Sequence, residues 1–449
     1  MERTVAIVTI RSCRTRPRTA GLVSARRVLQ SLLTGLSAGS LFTLGSAQAG
    51  NGMLPTGFGV ESQGLGGADV ALSRDTTAVN TNPAGLAQTD GQAADAYLSP
   101  FMALHTEHRD ALGNESTVDN KLGFLSGGSY ARKLGEGLVV GGGLFVQGGT
   151  GFTYTDLDTG FGTRDDLLAQ FGVFKLATAA AWQPDARWRL GVGLGFSYGT
   201  ARQKVFPNTS DSSAPFFGYR IDSLAGQGIN GKLGAQFLAS DTLTLGFAYT
   251  SEAPLDLYGG TLTANFDAIG LGRVTYGNAR LEGLSFAQQI ELGAVWRPSD
   301  AWLVSMELEW IDWSSAMRSV RLDAREPDNP DAPASFGYVS PLGWRDQYPI
   351  SIGALYRLDP RTQLRAGYSH AQHPAPGRNQ NPVFAVIAEN QLALGLRRVL
   401  KEGWTLDLGL EYQPYREHHY DNPALPIGVD ATETNNYLWF HFMIGRRWS

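Results

Sequence analysis

Nine-residue segments of strictly alternating polarity are the feature that most restricts how this chain can fold. In Trp404 to Tyr412 (WTLDLGLEY), every second residue is large and apolar, and Thr, Asp, Gly and Glu stand between them. Side chains of a β-strand point alternately to its two faces, so this segment has one apolar face and one polar face. Aromatic residues at both ends of the apolar face are typical of a strand that crosses a bilayer.

The same alternation recurs along the chain, and several segments, such as 190–198 and 302–310, reach the nine or more residues that a tilted bilayer crossing requires. The other segments are 190–198, 243–249, 290–296, 302–310, 350–356, 392–396 and 437–449. After residue 50 no apolar run reaches the ~18 residues of a membrane-spanning helix. A soluble β-sandwich also alternates, but its strands average only ~5–6 residues and pack their apolar faces inward. The segment lengths and terminal aromatics therefore favour a membrane barrel over a sandwich.

Turn-forming residues divide the chain into short and long connections. We predict six short turns at 134–137, 183–187, 239–241, 297–300, 358–361 and 401–403. We predict seven long polar loops at 111–121, 149–170, 206–227, 251–285, 314–348, 371–389 and 416–434. This alternation requires fourteen strands, with short turns in the periplasm and long loops outside. The sequence thus predicts an all-β fold, a 14-stranded antiparallel transmembrane β-barrel over residues 93–449.

The N-terminal residues have the features of an export signal. Arg26-Arg27 precede an apolar stretch, and Ala47-Gln48-Ala49 is a cleavage site of the A-x-A type. We predict removal of residues 1–49, a signal peptide with an N-terminal extension, so that the mature chain starts at Gly50. The one cysteine, Cys13, precedes this site, which excludes disulfides and cysteine metal sites from the mature chain. Seven of the 37 Lys and Arg residues and one of the 42 Asp and Glu residues also precede it. The remaining 30 basic and 41 acidic residues speak against a nucleic-acid partner.

Residues 50–92 separate the signal from the first strand. The stretch Gly57–Ala87 is rich in Gly, Ala and Asn and has neither a helical nor a strand period. A barrel of fourteen strands is too wide for its side chains to fill, since about eight strands is the limit for that. We therefore predict that residues 50–92 form a plug, or hatch, inside the lumen.

These residues resemble the N-terminal hatch of the FadL/TodX family of outer-membrane transporters. The resemblance rests on Gly57-Phe58-Gly59, Gly64-Leu65-Gly66-Gly67-Ala68, Ala71, Asp75 and Asn82-Pro83-Ala84-Gly85-Leu86, and on the Trp-rich segment Leu308–Ser314. The chain departs from the family by ending in Trp448-Ser449 and not in a phenylalanine. The resemblance implies passive transport of long-chain fatty acids or other hydrophobic compounds in the Gram-negative outer membrane, without a cofactor. It also implies a route through a loop groove, a lumenal pocket, hatch movement and lateral exit beside a kinked third strand.

The resemblance and the residue pattern together give candidate site residues. Candidate hatch residues are Asn82, Pro83 and Ala84, with an ordinary Asn-Pro turn as the alternative. Candidates for the wall gap are Gly141, Gly142 and Gly143, which alternatively make room for the hatch. Candidates for the ligand groove are Phe152, Tyr154, Phe161, Leu167, Leu168, Phe171, Phe206, Phe216 and Phe217. Arg365 and Arg397 either form lumenal ion pairs that hold the hatch or bind a carboxylate head group. The pattern indicates no catalytic or metal-binding residues.

Three other functions fit a barrel of this size. A porin for polar solutes would lack the plug, and a barrel lipase would need an outward Ser–His pair that the sequence does not offer. A surface receptor or adhesin would depend on the long loops alone. We expect the partners to be a hydrophobic small molecule, membrane lipid and lipopolysaccharide, and the protein to be a monomer. The sequence does not identify the hydrophobic ligand.

Overall fold

The computed structural model describes residues 50–385 and 387–449, so the predicted signal peptide lies outside the described residues. The strands are β1 (Gln92–Ala103), β2 (Glu107–Arg109), β3 (Glu115–Thr117), β4 (Leu122–Gly135), β5 (Leu138–Asp158), β6 (Arg164–Trp182), β7 (Trp188–Asp211), β8 (Phe216–Leu238), β9 (Leu243–Thr250), β10 (Ala253–Pro254), β11 (Leu257–Phe266), β12 (Gly272–Glu282), β13 (Ser285–Phe286), β14 (Gln289–Trp296), β15 (Trp302–Ile311), β16 (Ser319–Pro327), β17 (Ser335–Pro341), β18 (Ile350–Asp359), β19 (Thr362–His370), β20 (Asn390–Val399), β21 (Trp404–Tyr420) and β22 (Ala431–Trp448). The α-helices are α1 (Val60–Gly64) and α2 (Trp313–Ala316), and 3₁₀ helices span Thr76–Val79, Pro83–Gln88, Asp267–Ile269, Gly377–Asn379, Pro382–Phe384 and Lys401–Gly403. Within the described ranges, no helix combines the length and the apolar character needed to cross a membrane.

Fourteen strands close into an antiparallel barrel. Their order around the wall is β1, β4, β5, β6, β7, β8, β9, β14, β15, β18, β19, β20, β21 and β22. The last strand returns to the first, with Gln92 opposite Trp448 and Ala103 opposite Tyr437. Closure removes the free edges that an open sheet would expose. The predicted strand number and the antiparallel arrangement are confirmed.

Short connections and both chain ends of the wall lie at one end of the barrel. The six short connections are 136–137, 183–187, 239–242, 297–301, 360–361 and 400–403. Tryptophans flank them with exposed side chains, such as Trp182, Trp188, Trp296 and Trp302. Such an aromatic girdle marks the boundary between the hydrocarbon core and water. All six predicted short turns are confirmed at their positions.

The predicted long loops at 149–170 and 206–227 are wrong as loops, because strand occupies most of their length. β5 continues to Asp158, and β7 continues to Asp211 before β8 begins at Phe216. Likewise, 251–285 and 314–348 contain β10–β13, β16 and β17. Strands beyond the bilayer pair through their backbones and need no continuous apolar face, so their polar composition resembles that of loops. Four of them, β11, β12, β16 and β17, extend the sheet outward from β8.

Polarity across the wall is inverted relative to a soluble protein. Leu194, Ile229 and Leu394 expose 60% or more of their surface. Asp407, by contrast, is fully buried, and Lys232 is 7% exposed. Charged residues are almost never buried in soluble proteins, and large exposed apolar surfaces mark a membrane or a partner. The outward apolar face and inward polar face that the alternation predicts are therefore present.

Candidate functional site in the barrel lumen

Residues 50–91, the N-terminal segment, pack against the inner face of the wall where the wall has no side chains. The lumen-facing glycines in contact with the segment include Gly191, Gly234, Gly246, Gly293, Gly353, Gly367 and Gly395. A Cβ atom placed on Gly246 would lie 2.5 Å from the Cα atom of Ala71, and one on Gly353 would lie 2.7 Å from the carbonyl oxygen of Leu65. Such distances are closer than any real contact, so positions 246 and 353 accept only glycine while the segment is in place.

The Asn82-Pro83-Ala84 tripeptide joins the N-terminal segment to the wall. Asn82 is fully buried, and its Oδ1 accepts a hydrogen bond from the Ala84 N–H at 3.1 Å, which caps the 3₁₀ helix that begins at Pro83. The Asn82 Nδ2 donates to the carbonyl oxygens of Val70 (2.7 Å) and of Phe247 in β9 (3.2 Å). The expected bonding to nearby backbone is therefore present, and the bond to the wall is additional. A gating role for these three residues stays a prediction.

A buried ion network fixes the same segment on the opposite side of the lumen. Glu61 of α1 contacts Arg74 (2.6 Å), Arg365 (3.2 Å) and Arg397 (3.4 Å), and both wall arginines also contact Asp407, at 2.7 and 2.8 Å. Burial alone would raise the pKa of Glu61, but the three guanidinium groups hold that pKa well below its ordinary value. Of the two predicted roles for Arg365 and Arg397, the structure favours the ion pairs that hold the hatch.

Two wall carboxylates bind the segment's backbone. Asp95 of β1 accepts hydrogen bonds from the Thr76 N–H (2.9 Å) and hydroxyl (2.7 Å) and pairs with Arg447 at 2.8 Å. Glu307 of β15 accepts from the N–H groups of Asp69 (2.9 Å) and Val70 (2.8 Å). Sequence reasoning missed Asp95, which lies in a stretch (QAADAY, residues 92–97) with no distinguishing pattern.

The wall is closed at the glycines that were predicted to mark a gap. The ladder of β5 with β4 is unbroken across Gly141–Gly143, as is its ladder with β6. Gly141 faces the segment, where a Cβ atom would lie 3.1 Å from the Leu86 Cδ1, in agreement with the alternative role of making room. Both ladders are therefore continuous at these three glycines, and a role for them in opening the wall stays a prediction.

The irregularity of β5 lies a few residues further along the strand. Pairing with β4 ends at Phe145, and the register with β6 shifts between Val146 and Gly148. Gly148 and Gly149 have φ angles of 149° and 152°, which residues other than glycine rarely adopt. The Gly149 N–H donates to the carbonyl oxygen of Met53 at 3.3 Å. The N-terminal segment therefore covers the first of the two places where the register of β5 with β6 shifts, the other lying between Tyr154 and Leu157.

The predicted groove residues are mostly buried, and they divide between two apolar clusters at the outer end of the lumen. The first apolar cluster includes Phe152, Tyr154, Leu167 and Phe206 and adds Phe101, Val383, Ile427, Tyr437 and Trp439. The second apolar cluster includes Phe171 and adds Leu54, Tyr219, Leu255, Phe286, Trp313 and Trp344, with Phe217 packed against it. Leu168 is also buried, and Phe161 stacks on Phe216 with ring centroids 4.6 Å apart. The expectation of a single exposed loop groove is therefore wrong, because these residues lie mainly on paired strands.

A charged network closes the outer end beside the first apolar cluster. The His108 ring lies 2.5 Å from Glu433 and 3.1 Å from Asp110, and it is completely buried. Burial alone would lower the pKa of His108, but the two carboxylates outweigh it and raise that pKa to about 9. Tyr154 and Tyr420 donate their hydroxyls to the same Glu433. Sequence reasoning missed this network because 325 positions separate His108 from Glu433.

A polar cavity of about 50 Å³, the polar chamber, adjoins the N-terminal segment. Its charged lining consists of Asp69, Lys175, Lys232, Glu291, Glu307 and Glu309. In the part of the chain that the structure describes, no group of three or more His, Cys, Asp or Glu side chains is arranged to hold a metal ion. Ser197, the serine of a G-x-S-x-G sequence, lies within the continuous strand β7 and not at the strand-to-helix turn that a hydrolase requires.

Comparison with known proteins places these features in a family. The profile described as Outer membrane protein transport protein (OMPP1/FadL/TodX) matches residues 42–435. A long-chain fatty acid transport protein of Escherichia coli O6:H1 is 22% identical over 397 residues, covering 78% of this chain and 84% of the relative.

Solved structures share the fold at low sequence identity. The toluene transporter TodX of P. putida has a TM-score of 0.73 at 17% identity, over 88% of this chain and 99% of its own. The toluene transporter TbuX of Ralstonia pickettii has a TM-score of 0.69 at 18% identity, over 88% and 99%. A FadL homologue of Pseudomonas aeruginosa has a TM-score of 0.70 at 14% identity, over 89% and 100%. The family profile describes transport and not catalysis, and it covers most of the chain. The chain is a member of the OMPP1/FadL/TodX family of outer membrane transport proteins.

Proposed function

We propose that this protein carries hydrophobic small molecules passively across the outer membrane. Its relatives are named as transporters of long-chain fatty acids and of toluene. The observation that carries the proposal is a bore with apolar side chains at its outer end and a fixed N-terminal segment further in. A porin for polar solutes requires an open, polar bore, so neither feature is expected in one.

The two apolar clusters are the proposed entry. Aromatic and aliphatic side chains there, among them Phe152, Tyr154 and Phe171, would exchange contacts with one another for contacts with the ligand. Each buried CH₂ group of a ligand contributes about 0.8 kcal/mol, so a chain of several carbons can separate packed side chains. Phe161 and Phe216 stack at the outer rim of the first apolar cluster and would meet the ligand first.

We propose that residues 50–92 act as the hatch and that residues 93–449 form the barrel around it. The exit lies at Gly148 and Gly149, beside the interrupted β4–β5 pairing, where Met53 now covers the wall. Movement of Met53 would free a lateral path into the membrane. Transfer of a hydrophobic molecule into periplasmic water would cost about 0.8 kcal/mol for each CH₂ group, and a lateral exit avoids this cost.

Three further points belong to the same proposal. Residues 1–49 are removed on export, as the A-x-A site indicates. The barrel works as a monomer, because one chain supplies the wall, the bore and the segment within it. Lipid and lipopolysaccharide surround its exposed apolar band.

A reversible cross-link tests hatch movement. A Cβ atom on Gly64 would lie 3.5 Å from the Cα atom of Gly395, and the reverse distance is also 3.5 Å. The two positions are therefore in direct contact, as a short cross-link requires, and the mature chain has no other cysteine. We expect Gly64→Cys/Gly395→Cys to lose uptake of toluene and of oleate when oxidised and to regain it on reduction. The single-cysteine variants serve as controls, and unchanged uptake by the oxidised protein would contradict the proposal.

Conductance separates this function from that of a porin. We expect the protein in a planar bilayer to give no large steady current, because the N-terminal segment occupies the bore. A large steady current carried by simple salts would show a porin instead. A surface receptor would bind its partner equally well with the hatch cross-linked, whereas a transporter would not deliver its ligand.

A further inference from the structure

Two carboxylates face each other across neighbouring wall strands inside the polar chamber. Glu291 of β14 stands directly opposite Glu309 of β15, and Glu307 and Asp69 line the same cavity. Like charges directly opposite each other destabilise an antiparallel pair. A positively charged group held between them would remove this repulsion.

The cations of the protein itself do not balance these acids. Lys232 lies 3.5 Å from Glu291 and donates to the carbonyl oxygen of Asn80 at 3.1 Å. Lys175 is 5% exposed, and among the described residues it makes neither a hydrogen bond nor an ion pair. Glu309 has one side-chain contact there, with the Asn51 Nδ2 at 3.5 Å, and no cation within ion-pair distance. The chamber thus holds four carboxylates and two lysines, and Glu309 forms an ion pair with neither lysine.

Unpartnered oxygens in the same chamber indicate which kind of group it can bind. The Oδ1 atoms of Asn51 and Asn80 and the Oγ1 of Thr250 are buried and have no hydrogen-bond partner. The three side chains are 4%, 2% and 7% exposed, and all three line the chamber. Buried polar atoms nearly always have a partner, so a cluster without one requires an explanation. An amide oxygen accepts and does not donate, so a ligand that satisfies the two asparagine oxygens must be a donor.

The surroundings of the chamber suit a ligand with one charged end and one apolar end. A second cavity, of about 20 Å³, shares Leu54, Lys175 and Thr250 with the chamber and reaches Ala253 and Phe286 of the second apolar cluster. The chamber therefore has room for a small head group, and the second cavity, whose lining is mixed, continues from it to the apolar residues Ala253 and Phe286.

We propose that the chamber binds the ammonium group of an amphiphilic amine. The head group lies between Glu291 and Glu309 and donates its three N–H groups to carboxylates and to the Asn51 and Thr250 oxygens. The hydrocarbon tail extends past Leu54 towards Ala253 and Phe286. This inference rests on the proposed function, because it names one class of hydrophobic ligand that the barrel accepts.

A carboxylate is the obvious competing head group, and the charge balance disfavours it. A fatty acid could pair with the unpartnered Lys175 ammonium. It would, however, add a negative charge next to Asp69, Glu291, Glu307 and Glu309. A neutral alcohol would satisfy the unpartnered oxygens with one donor only. The three head groups therefore predict an order of affinity, with the amine first and the carboxylate last.

Binding to the purified full chain in detergent tests this order. Isothermal titration with octylamine, octanol and octanoate compares three head groups on one chain length. We expect octylamine to bind at least about tenfold more tightly than octanoate, as a charge-assisted hydrogen bond predicts. We expect Glu309→Gln and Glu291→Gln each to weaken octylamine roughly tenfold. Lys175→Met should strengthen it, because the variant removes a competing positive charge.

The control is Glu136→Gln in an exposed periplasmic turn, which should leave octylamine affinity unchanged. Folding of each variant is checked by its heat-dependent gel mobility, so that loss of structure is not mistaken for loss of binding. Tighter binding of octanoate than octylamine, or unchanged octylamine affinity in both folded glutamine variants, overturns the inference. Uptake of toluene and oleate into vesicles is measured separately. If toluene and oleate are taken up but octylamine binds no more tightly than octanoate, the ammonium site alone is refuted. If octylamine binds but neither toluene nor oleate is taken up, the proposed transport is refuted.

Discussion

Replacement of Glu61 by glutamine should loosen the N-terminal segment without unfolding the barrel. Glu61 is the one carboxylate of the segment in contact with Arg74, Arg365 and Arg397 among the described residues. In Glu61→Gln the two wall arginines, whose side chains are 0% and 10% exposed, keep only Asp407 as their counter-ion. Removing one partner of a buried ion pair costs about 3–5 kcal/mol. We expect the lower end, about 3 kcal/mol, because Arg74 is 28% exposed and can turn to water.

A loss of about 3 kcal/mol corresponds to a roughly 150-fold larger open population of the segment. Amide hydrogen exchange of α1 should accelerate by about that factor, whereas exchange in β19–β21 should not change. In Glu61→Gln/Arg397→Gln one buried positive charge is also removed, so part of the protection should return. The pKa of Glu61 is lowered in the folded chain, so its contribution is present at neutral pH and is lost as the pH falls through that lowered value. Equal acceleration in α1 and in the wall strands, or none in either, would refute the reasoning.

Three further variants test separate contacts. Gly246→Val should displace the segment, because even a Cβ atom there would lie 2.5 Å from a backbone atom. We expect this variant to give a steady ionic current in a planar bilayer. The control is Gly231→Ala, which should give no such current because a Cβ atom there has no atom within 4 Å. Asn82→Ala removes a helix cap and two donors to buried carbonyls, so exchange in Pro83–Gln88 should rise by the equivalent of about 1–3 kcal/mol; unchanged exchange would be evidence against its anchoring role. The pKa of His108 is raised to about 9, so its stabilisation is complete below pH ~6.5 and is lost as the pH rises towards 9. Proteolysis of residues 107–117 should therefore increase across that interval in the wild type, and His108→Gln should be cleaved readily at every pH.

The wall could be predicted because its determinants are local. The alternation in Trp404–Tyr412 fixes which face of β21 meets lipid, and the six short turns fix how many strands cross. Each of these signals lies within about a dozen residues. The strand extensions beyond the membrane gave no such signal. Residues such as Gln203 and Lys204 pair as well as any wall residue, but there both faces of the sheet meet polar or mixed surroundings.

The lumen could be predicted only in part because its contacts join distant residues. Arg365 and Arg397 stand out in sequence as inward charges, yet their partner Glu61 lies 304 and 336 positions away. The alternation says that these arginines face inward, but not what they meet. The glycines of β5 illustrate the same limit. Gly141–Gly143 attract attention as a run, while pairing with β4 ends at Phe145 and the register with β6 shifts before Gly148, next to the contact of Gly149 with Met53.

The residues at the lumen-facing positions of the wall are determined by what those positions contact inside the barrel. A strand whose outer face is apolar needs no inner side chains for membrane insertion, so its lumenal positions are free to serve what lies inside. Many of the wall positions that touch the N-terminal segment are glycine, as at Gly246 and Gly353, and a few are charged, such as Asp95 and Glu307. Around the polar chamber, which the segment also lines, the wall positions carry charges, such as Glu291 and Glu309. The glycines hold the segment by shape and without charge, so it can move without exposing a buried ion at those contacts. Glu61 is different, because its movement leaves two buried guanidinium groups with a single carboxylate, and this makes it the contact that sets the cost of opening.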